Sequence, residues 1–172
     1  DSMLNYPDFR SHERAFQLIT QVSGRSGRKH DKGQVIIQTN KPEHPLLLQI
    51  KEGNLDLFYD QELAERQKFK YSPFFRLIKI VIKGKDKNSA SQAANTLNGI
   101  LQETLSEKRI LGPVEPLINK IRNYYLFEIL IKIERETTNL KSIKEFIQGS
   151  RNTLLALPRF KSLLIYFDVD PI

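Results

Sequence analysis

Gln21-Val22-Ser23-Gly24-Arg25-Ser26-Gly27-Arg28 sets two arginines three residues apart, each directly preceded by glycine. On a helix this spacing puts both guanidiniums on one face, because side chains at i and i+3 are neighbours. A glycine beside each arginine keeps the surface low, so a bulky anion or a facing domain can approach closely. Arginine is always charged, and its planar fork matches phosphate oxygens. Arginines of this kind meet the charge that develops on a terminal phosphate during phosphoryl transfer. A complete nucleotide-hydrolysing site also needs a phosphate-cradling loop, and no GxxxxGK[ST] occurs in the 172 residues. Taken alone, the pattern is more often a solvated basic helix end with glycine as its stop.

Composition narrows the remaining chemistry. Hydrophobic residues make up 40%, enough for a packed core. There are no cysteines, which excludes disulfides and cysteine-based zinc sites, and His12, His30 and His44 show no metal-ligand spacing. No apolar run has transmembrane length and no secretory leader is visible, so a cytoplasmic location is expected, without membrane partners. The net charge of +7 is uneven: residues 1–70 hold 11 Lys/Arg against 10 Asp/Glu, whereas 71–172 hold 16 against 10. The basic excess of the second part fits a polyanionic partner.

The elements that must position these residues follow from periodicity. Ala15, Phe16, Leu18 and Ile19 predict a helix from Arg10 to about Thr20, with Ser11 as its N-cap. Gly33–Thr39 predicts a short strand, and Pro42 and Pro45 open a helix through Ile50. Asn54–Lys70 is a more polar helix that Ser72-Pro73 terminates. Beyond it, Phe75–Lys83 alternates, with Ile78, Ile80 and Ile82 on one face. Asn88–Ser106 is helical through Ala90, Ala93, Ala94, Leu97, Leu101 and Leu105. Arg109–Ile118 is an irregular strand, and Tyr124–Ile133 alternates with Tyr125, Phe127, Ile129, Ile131 and Ile133 inward. Asn139–Leu157 is a helix, and Leu163–Val169 a last strand with Leu163, Ile165, Phe167 and Val169 inward. The order β-α-β-β-α-β predicts an α+β, ferredoxin-like sandwich.

On the strand faces opposite the core lie Lys79, Lys83, Tyr124, Lys132 and Tyr166. Positive charge mixed with flat rings suits a surface that tracks a nucleic-acid backbone and stacks bases. Glu128 and Asp168 share that face, which favours ordinary solvent-facing strands. Lys141 and Lys144 stand near the start of the last helix, where the macrodipole gives a cation no structural reason to be.

Several segments carry a resemblance to one family. Asp8-Phe9-Arg10-Ser11, Glu13-Arg14 and Gln21–Arg28 are followed in order by Gly33-Gln34-Val35, Gln38-Thr39 and Pro42-Glu43-His44-Pro45-Leu46-Leu47. Then come Glu62-Leu63-Ala64-Glu65-Arg66, Pro73, Leu111-Gly112-Pro113-Val114 and the closing Asp168-Val169-Asp170-Pro171-Ile172. Together they resemble the primosomal protein N′ (PriA) family, superfamily 2 DNA helicases that restart bacterial replication. Ser23 and Ser26 stand where that family commonly has alanine.

The resemblance implies that residues 1–52 are the end of a second RecA-like helicase lobe, with the tail of motif V at Asp1 and motif VI at Gln21–Arg28. Arg28 would then be the arginine finger, Arg25 would hold phosphate or the facing acidic motif, and Gln21, Gly24 and Gly27 would line the ATP cleft. Residues 53–72 would be a connecting helix and linker, and 73–172 a C-terminal domain that binds DNA and partners. The intact protein would use ATP and Mg²⁺, and would hold zinc in a cysteine-rich insertion outside this stretch. The stretch alone is expected to bind none of these and not to hydrolyse ATP. The implied function is that of a 3′-to-5′ helicase acting on branched or single-stranded DNA. Its implied partners are other primosome proteins and the acidic tail of the single-stranded DNA-binding protein, with Lys141 and Lys144 as candidate contacts for that tail. An alternative is a non-enzymatic RNA- or DNA-binding module, since RNA-recognition domains share the β-α-β-β-α-β order. A plain protein-interaction domain is a third reading.

Overall fold

A computed structural model describes residues 2–26, 34–106, 109–136 and 139–171. The chain divides into two compact units, Asp1–Phe69 and Lys70–Ile172.

The first unit holds three helices, α1 (Ser11–Arg25), α2 (Pro45–Glu52) and α3 (Leu55–Lys68). The expected cap at Ser11 is not used. Arg10 occupies the N-cap position without a side-chain cap bond, and the Asp8 carboxylate orders the entry by accepting the Arg10 N–H and pairing with Arg14. α1 also runs past Thr20, so Gln21, Gly24 and Arg25 belong to the helix itself. α2 starts with Pro45 at its first turn and His44 Nδ1 accepting the Leu46 N–H, and it ends at Gly53, whose φ of 70° is left-handed. Asn54 caps α3 by accepting the Leu57 N–H. α3 stops at Lys68, ahead of the Ser72-Pro73 break expected to end it.

Ala15, Phe16, Leu46, Leu47 and Phe58 form the core of this unit, with the Phe16 and Phe58 rings stacked 4.1 Å apart. Arg66 on α3 reaches Glu13 on α1 at 2.7 Å. The strand expected over residues 33–39 does not form across its described part. Gln34–Thr39 is extended but joins no ladder among the described residues, and Ile36 is 85% exposed. An apolar run makes a strand only where another strand offers it hydrogen bonds.

The second unit contains β1 (Phe75–Gly84), α4 (Lys87–Gln102), β2 (Ile110–Val114), β3 (Lys120–Ile121), β4 (Tyr124–Glu134), α5 (Leu140–Ala156), a 3-10 turn (Pro158–Phe160) and β5 (Leu164–Val169). The chain is thus mixed α/β, with five helices and one antiparallel sheet of five strands among the described residues. The strand order is β2-β4-β1-β5, with the two-residue β3 pairing β4. Ile80 faces Ile129 on one side and Phe167 on the other. Ile78, Ile80, Ile82, Ile129, Ile131 and Ile133 pack against α4 and α5, and Ala90, Ala93 and Ala94 let α4 approach closely. Burying that face fixes the register, because a one-residue slip would turn every isoleucine outward.

Several boundaries differ from expectation. α4 ends at Gln102 and not near Ser106. The irregular strand 109–118 is the short β2, whose pairing with β4 shifts register between Leu111 and Val114. At the shift, Gly112 has φ 105°, and a Cβ there would lie 2.7 Å from the Glu128 carbonyl oxygen. Only glycine fits. Val169, expected to face the core, is half exposed.

The closing Asp168–Pro171 segment has a structural role. The Leu77 N–H donates to Asp170 Oδ1 at 2.9 Å, and the Asp170 N–H donates to the Leu77 carbonyl at 2.7 Å. With φ at 50°, Asp170 turns the main chain away while its carboxylate carries the β1–β5 ladder one step further.

Candidate nucleic-acid and partner interface

The strands place Lys79, Lys83, Tyr124, Lys132 and Tyr166 on one face, opposite α4 and α5, as the alternation predicts. The face has an apolar centre of Leu77, Val81 and Leu126, all buried. Around it the basic and aromatic groups pair with one another. Lys83 Nζ lies 5.1 Å from the Tyr166 ring centroid. Lys79 Nζ is 3.9 Å from Glu128 Oε2, and Asp168 sits opposite Lys79 in the ladder. Tyr166 is 44% exposed. Tyr124 is half-buried at the start of β4.

Lys132 departs from the expected solvent-facing role. It is 6% exposed, and its ammonium stands 3.6 Å from the centroid of Tyr71, just before Ser72-Pro73. Burial, with a smaller effect from Lys70, lowers its pKa below the ordinary lysine value. This lysine braces the face from inside, so it is an unsuitable phosphate contact. The remaining basic rim is Lys79 and Lys83, both half-buried.

Lys141 and Lys144 occupy the first two turns of α5 and are exposed. Lys141 lies 4.0 Å from Glu145 in a solvated i,i+4 pair worth little. Lys144 stands at an open cleft of about 180 Å³, with Gln148 on the same helix and Ile78, Ile147, Phe167 and Val169 as its apolar walls. The sequence reading did not place Gln148, Phe167 and Val169 beside Lys144. The i,i+4 pair Lys144/Gln148 beside the apolar Ile143/Ile147 stripe was the available signal.

In the first unit, Gln21 and Arg25 are exposed one turn apart at the end of α1. Arg25 makes no ion pair among the described residues, and its charge complements the helix C-terminus. A Cβ on Gly24 would meet nothing within 4 Å. Gly27 and Arg28 lie outside the described residues. An open groove of about 530 Å³ runs between Ser23, Val35, Ile37, Leu47 and Ile50. His12, Glu62 and Glu65 bring three ligand atoms within 4.8 Å of one another, which the sequence spacing of the histidines did not predict. Glu62 is also 3.5 Å from Arg66, and burial raises its pKa.

With this geometry in place, comparison with known proteins is specific. The family model described as Primosomal protein N C-terminal domain matches residues 67–172. Replication restart protein PriA of Treponema pallidum is 38% identical over 173 residues, covering all of this chain and 25% of the relative. The protein of the same name from Chlamydia pneumoniae is 41% identical over 133 residues, 77% of this chain and 18% of the relative. That of Bacillus subtilis is 32% identical over 172 residues, 99% of this chain and 21% of the relative. The chain therefore spans about a quarter or less of these relatives. It belongs to the primosomal protein N C-terminal domain family.

Proposed function

We propose that this chain is the C-terminal part of an ATP-dependent 3′-to-5′ DNA helicase that recognises branched DNA and restarts stalled replication by primosome assembly in the cytoplasm. The observation that carries the DNA-binding half of this reading is the sheet face of Lys79, Lys83 and Tyr166 around a buried apolar centre. The lysines would neutralise phosphates, and the exposed ring would stack on a base. In this assignment residues 1–52 are the end of a RecA-like lobe, 53–72 connect, and 73–172 form the ferredoxin-like binding domain. The β5-β1-β4-β2 order supports the last, since in a split βαβ each crossover helix spans one antiparallel strand. No described helix is long and apolar enough to cross a membrane.

Arg25 and Arg28 would serve the ATP site of the intact protein. The exposed guanidinium of Arg25, without an ion pair among the described residues, fits a phosphate, and ATP with Mg²⁺ would supply the transferable phosphoryl group. Zinc would be held elsewhere in the intact protein. The cleft at Lys144 supports an acidic, phenylalanine-ended tail of the single-stranded DNA-binding protein as a second partner. Its apolar walls suit a ring, and Lys144 suits a carboxylate.

Binding of the 172-residue chain to forked DNA, single-stranded RNA and such a peptide across salt tests the reading. Lys79→Gln with Lys83→Gln should weaken forked-DNA binding and reduce the log–log salt slope by about 2. Lys144→Glu should abolish only peptide binding. Unchanged DNA affinity in the double variant overturns the face assignment, and tighter binding to RNA favours the RNA-recognition alternative. In the intact protein, Arg25→Ala or Arg28→Ala should remove ATP turnover and spare DNA affinity; retained turnover refutes the cleft roles.

A further inference from the structure

At one end of the sheet, the β1–α4 turn and residues 115–123 converge. Gly84 pairs with Tyr125, Lys120 pairs with Tyr125, and Lys87 Nζ meets Glu115 Oε1 at 2.7 Å. From this end project Leu117 and Ile118, 77% and 68% exposed, and Ile121 at 43%. They are not on a loose loop. Glu115 is held by Lys87 and by Asn119 at 2.8 Å, and the Leu126 N–H donates to the Asn119 carbonyl. Ile121 and Tyr124 close a two-residue hairpin whose centre, Arg122-Asn123, has φ of 48° and 65°. Positive φ at both positions is the type I′ geometry that matches strand twist, and a non-glycine pair holds it at some cost. The surround is basic: Lys85, Lys120 and Arg122 are exposed, while Glu115 is taken by Lys87 and Asp86 caps the Ser89 N–H.

A rigid aliphatic tip ringed by cations calls for an occupant that is apolar at its centre and anionic at its edge. The unstacked face of a terminal base pair is such a surface, apolar across the bases and flanked by phosphates. We propose that this sheet end seats the open end of a DNA duplex, Leu117 and Ile118 covering the terminal pair while Lys85, Lys120 and Arg122 meet the flanking phosphates. The proposal rests on the DNA-binding reading above but concerns a different surface from Lys79 and Lys83.

The test compares binding of the 172-residue chain to one duplex with blunt ends and to the same duplex with both ends closed by hairpin loops, using 2-aminopurine in the terminal pair as reporter. The unaltered chain should prefer the open duplex about tenfold. Leu117→Ser with Ile118→Ser should remove that preference and the fluorescence change, and leave closed-duplex affinity and thermal unfolding unaltered. Lys120→Gln with Arg122→Gln should lower the salt slope for open duplex by about 2. Equal affinity of the unaltered chain for open and closed DNA overturns the proposal and spares the sheet-face reading. Retained preference in the serine variant overturns it as well. So does self-association that the serine variant abolishes, which would assign the tip to a second copy of the chain. Absence of binding to either DNA overturns both readings.

Discussion

Asp170 offers the sharpest test of how this fold is held. Its carboxylate is the acceptor for the N–H of Leu77, a residue 1% exposed on the central strand β1. Asp170→Ala leaves that donor without a partner, at about 1–3 kcal/mol. It also places alanine at φ 50°, a conformation aspartate tolerates better, adding about 1 kcal/mol. The sum is about 2–4 kcal/mol. Asp170→Asn keeps both an acceptor oxygen and tolerance of left-handed backbone, so its loss should stay under about 1 kcal/mol. Asp170→Gly removes the acceptor but relieves the backbone, and should fall between them. Because the chain has two compact units, a single unfolding midpoint mixes them. Amide hydrogen exchange of Leu77 and Ile78 reads the right one. Exchange should accelerate in the order Asn, Gly, Ala, with alanine about thirty- to several-hundred-fold above the parent. If alanine and asparagine exchange alike, the carboxylate bond contributes nothing and the reasoning fails.

Gly112→Ala forces a Cβ to within 2.7 Å of the Glu128 carbonyl at φ 105°, so β2 should detach from β4, seen as lost exchange protection at Leu111 with little change in the first unit. Phe58→Ala removes one ring of the Phe16–Phe58 stack and should destabilise the first unit by about 3–5 kcal/mol, leaving β1 amides protected. His44 has its pKa lowered from 6.5, first by burial, then by His12 and Lys41. The fold prefers the neutral ring that accepts the Leu46 N–H, so stability at this site is full above 6.5 and is lost as pH falls below it. His44→Asn, which keeps a capping acceptor without titrating, should flatten that pH dependence in thermal unfolding of the first unit.

Alternation made the sheet legible, because Ile78, Ile80, Ile82 and Ile129, Ile131, Ile133 repeat with period two over one buried face. The α4 stripe was equally plain. Failures arose where a partner in space decides the outcome. Val35-Ile36-Ile37 has the composition of a strand but joins no ladder. Ser23 and Gly24 look like a helix stop, yet α1 continues, since Gly24 adds only about 1 kcal/mol against a helix anchored elsewhere. Periodicity placed Lys132 on the correct face and could not foresee Tyr71 covering it. The Arg122-Asn123 turn lacks the glycine that usually marks a hairpin, so β3 went unseen. Of the candidate surfaces, alternation placed Lys79, Lys83 and Tyr166 on the sheet face opposite the helices, and the helical pattern placed Lys144 near the start of α5. The cleft walls were not legible, because they come from three elements far apart in sequence, β1, α5 and β5.

The length of α1 has a mechanical consequence. Arg25 lies nine residues beyond Phe16, about 13.5 Å along the axis at 1.5 Å per residue. The Phe16–Phe58 stack anchors α1 against α3, and the guanidinium lies toward the far end of the helix. A tilt of about 10° about that anchor swings the far end by about 2 Å, enough to carry an arginine into or out of reach of an anion. A substitution among the buried phenylalanines would therefore displace a guanidinium it never touches.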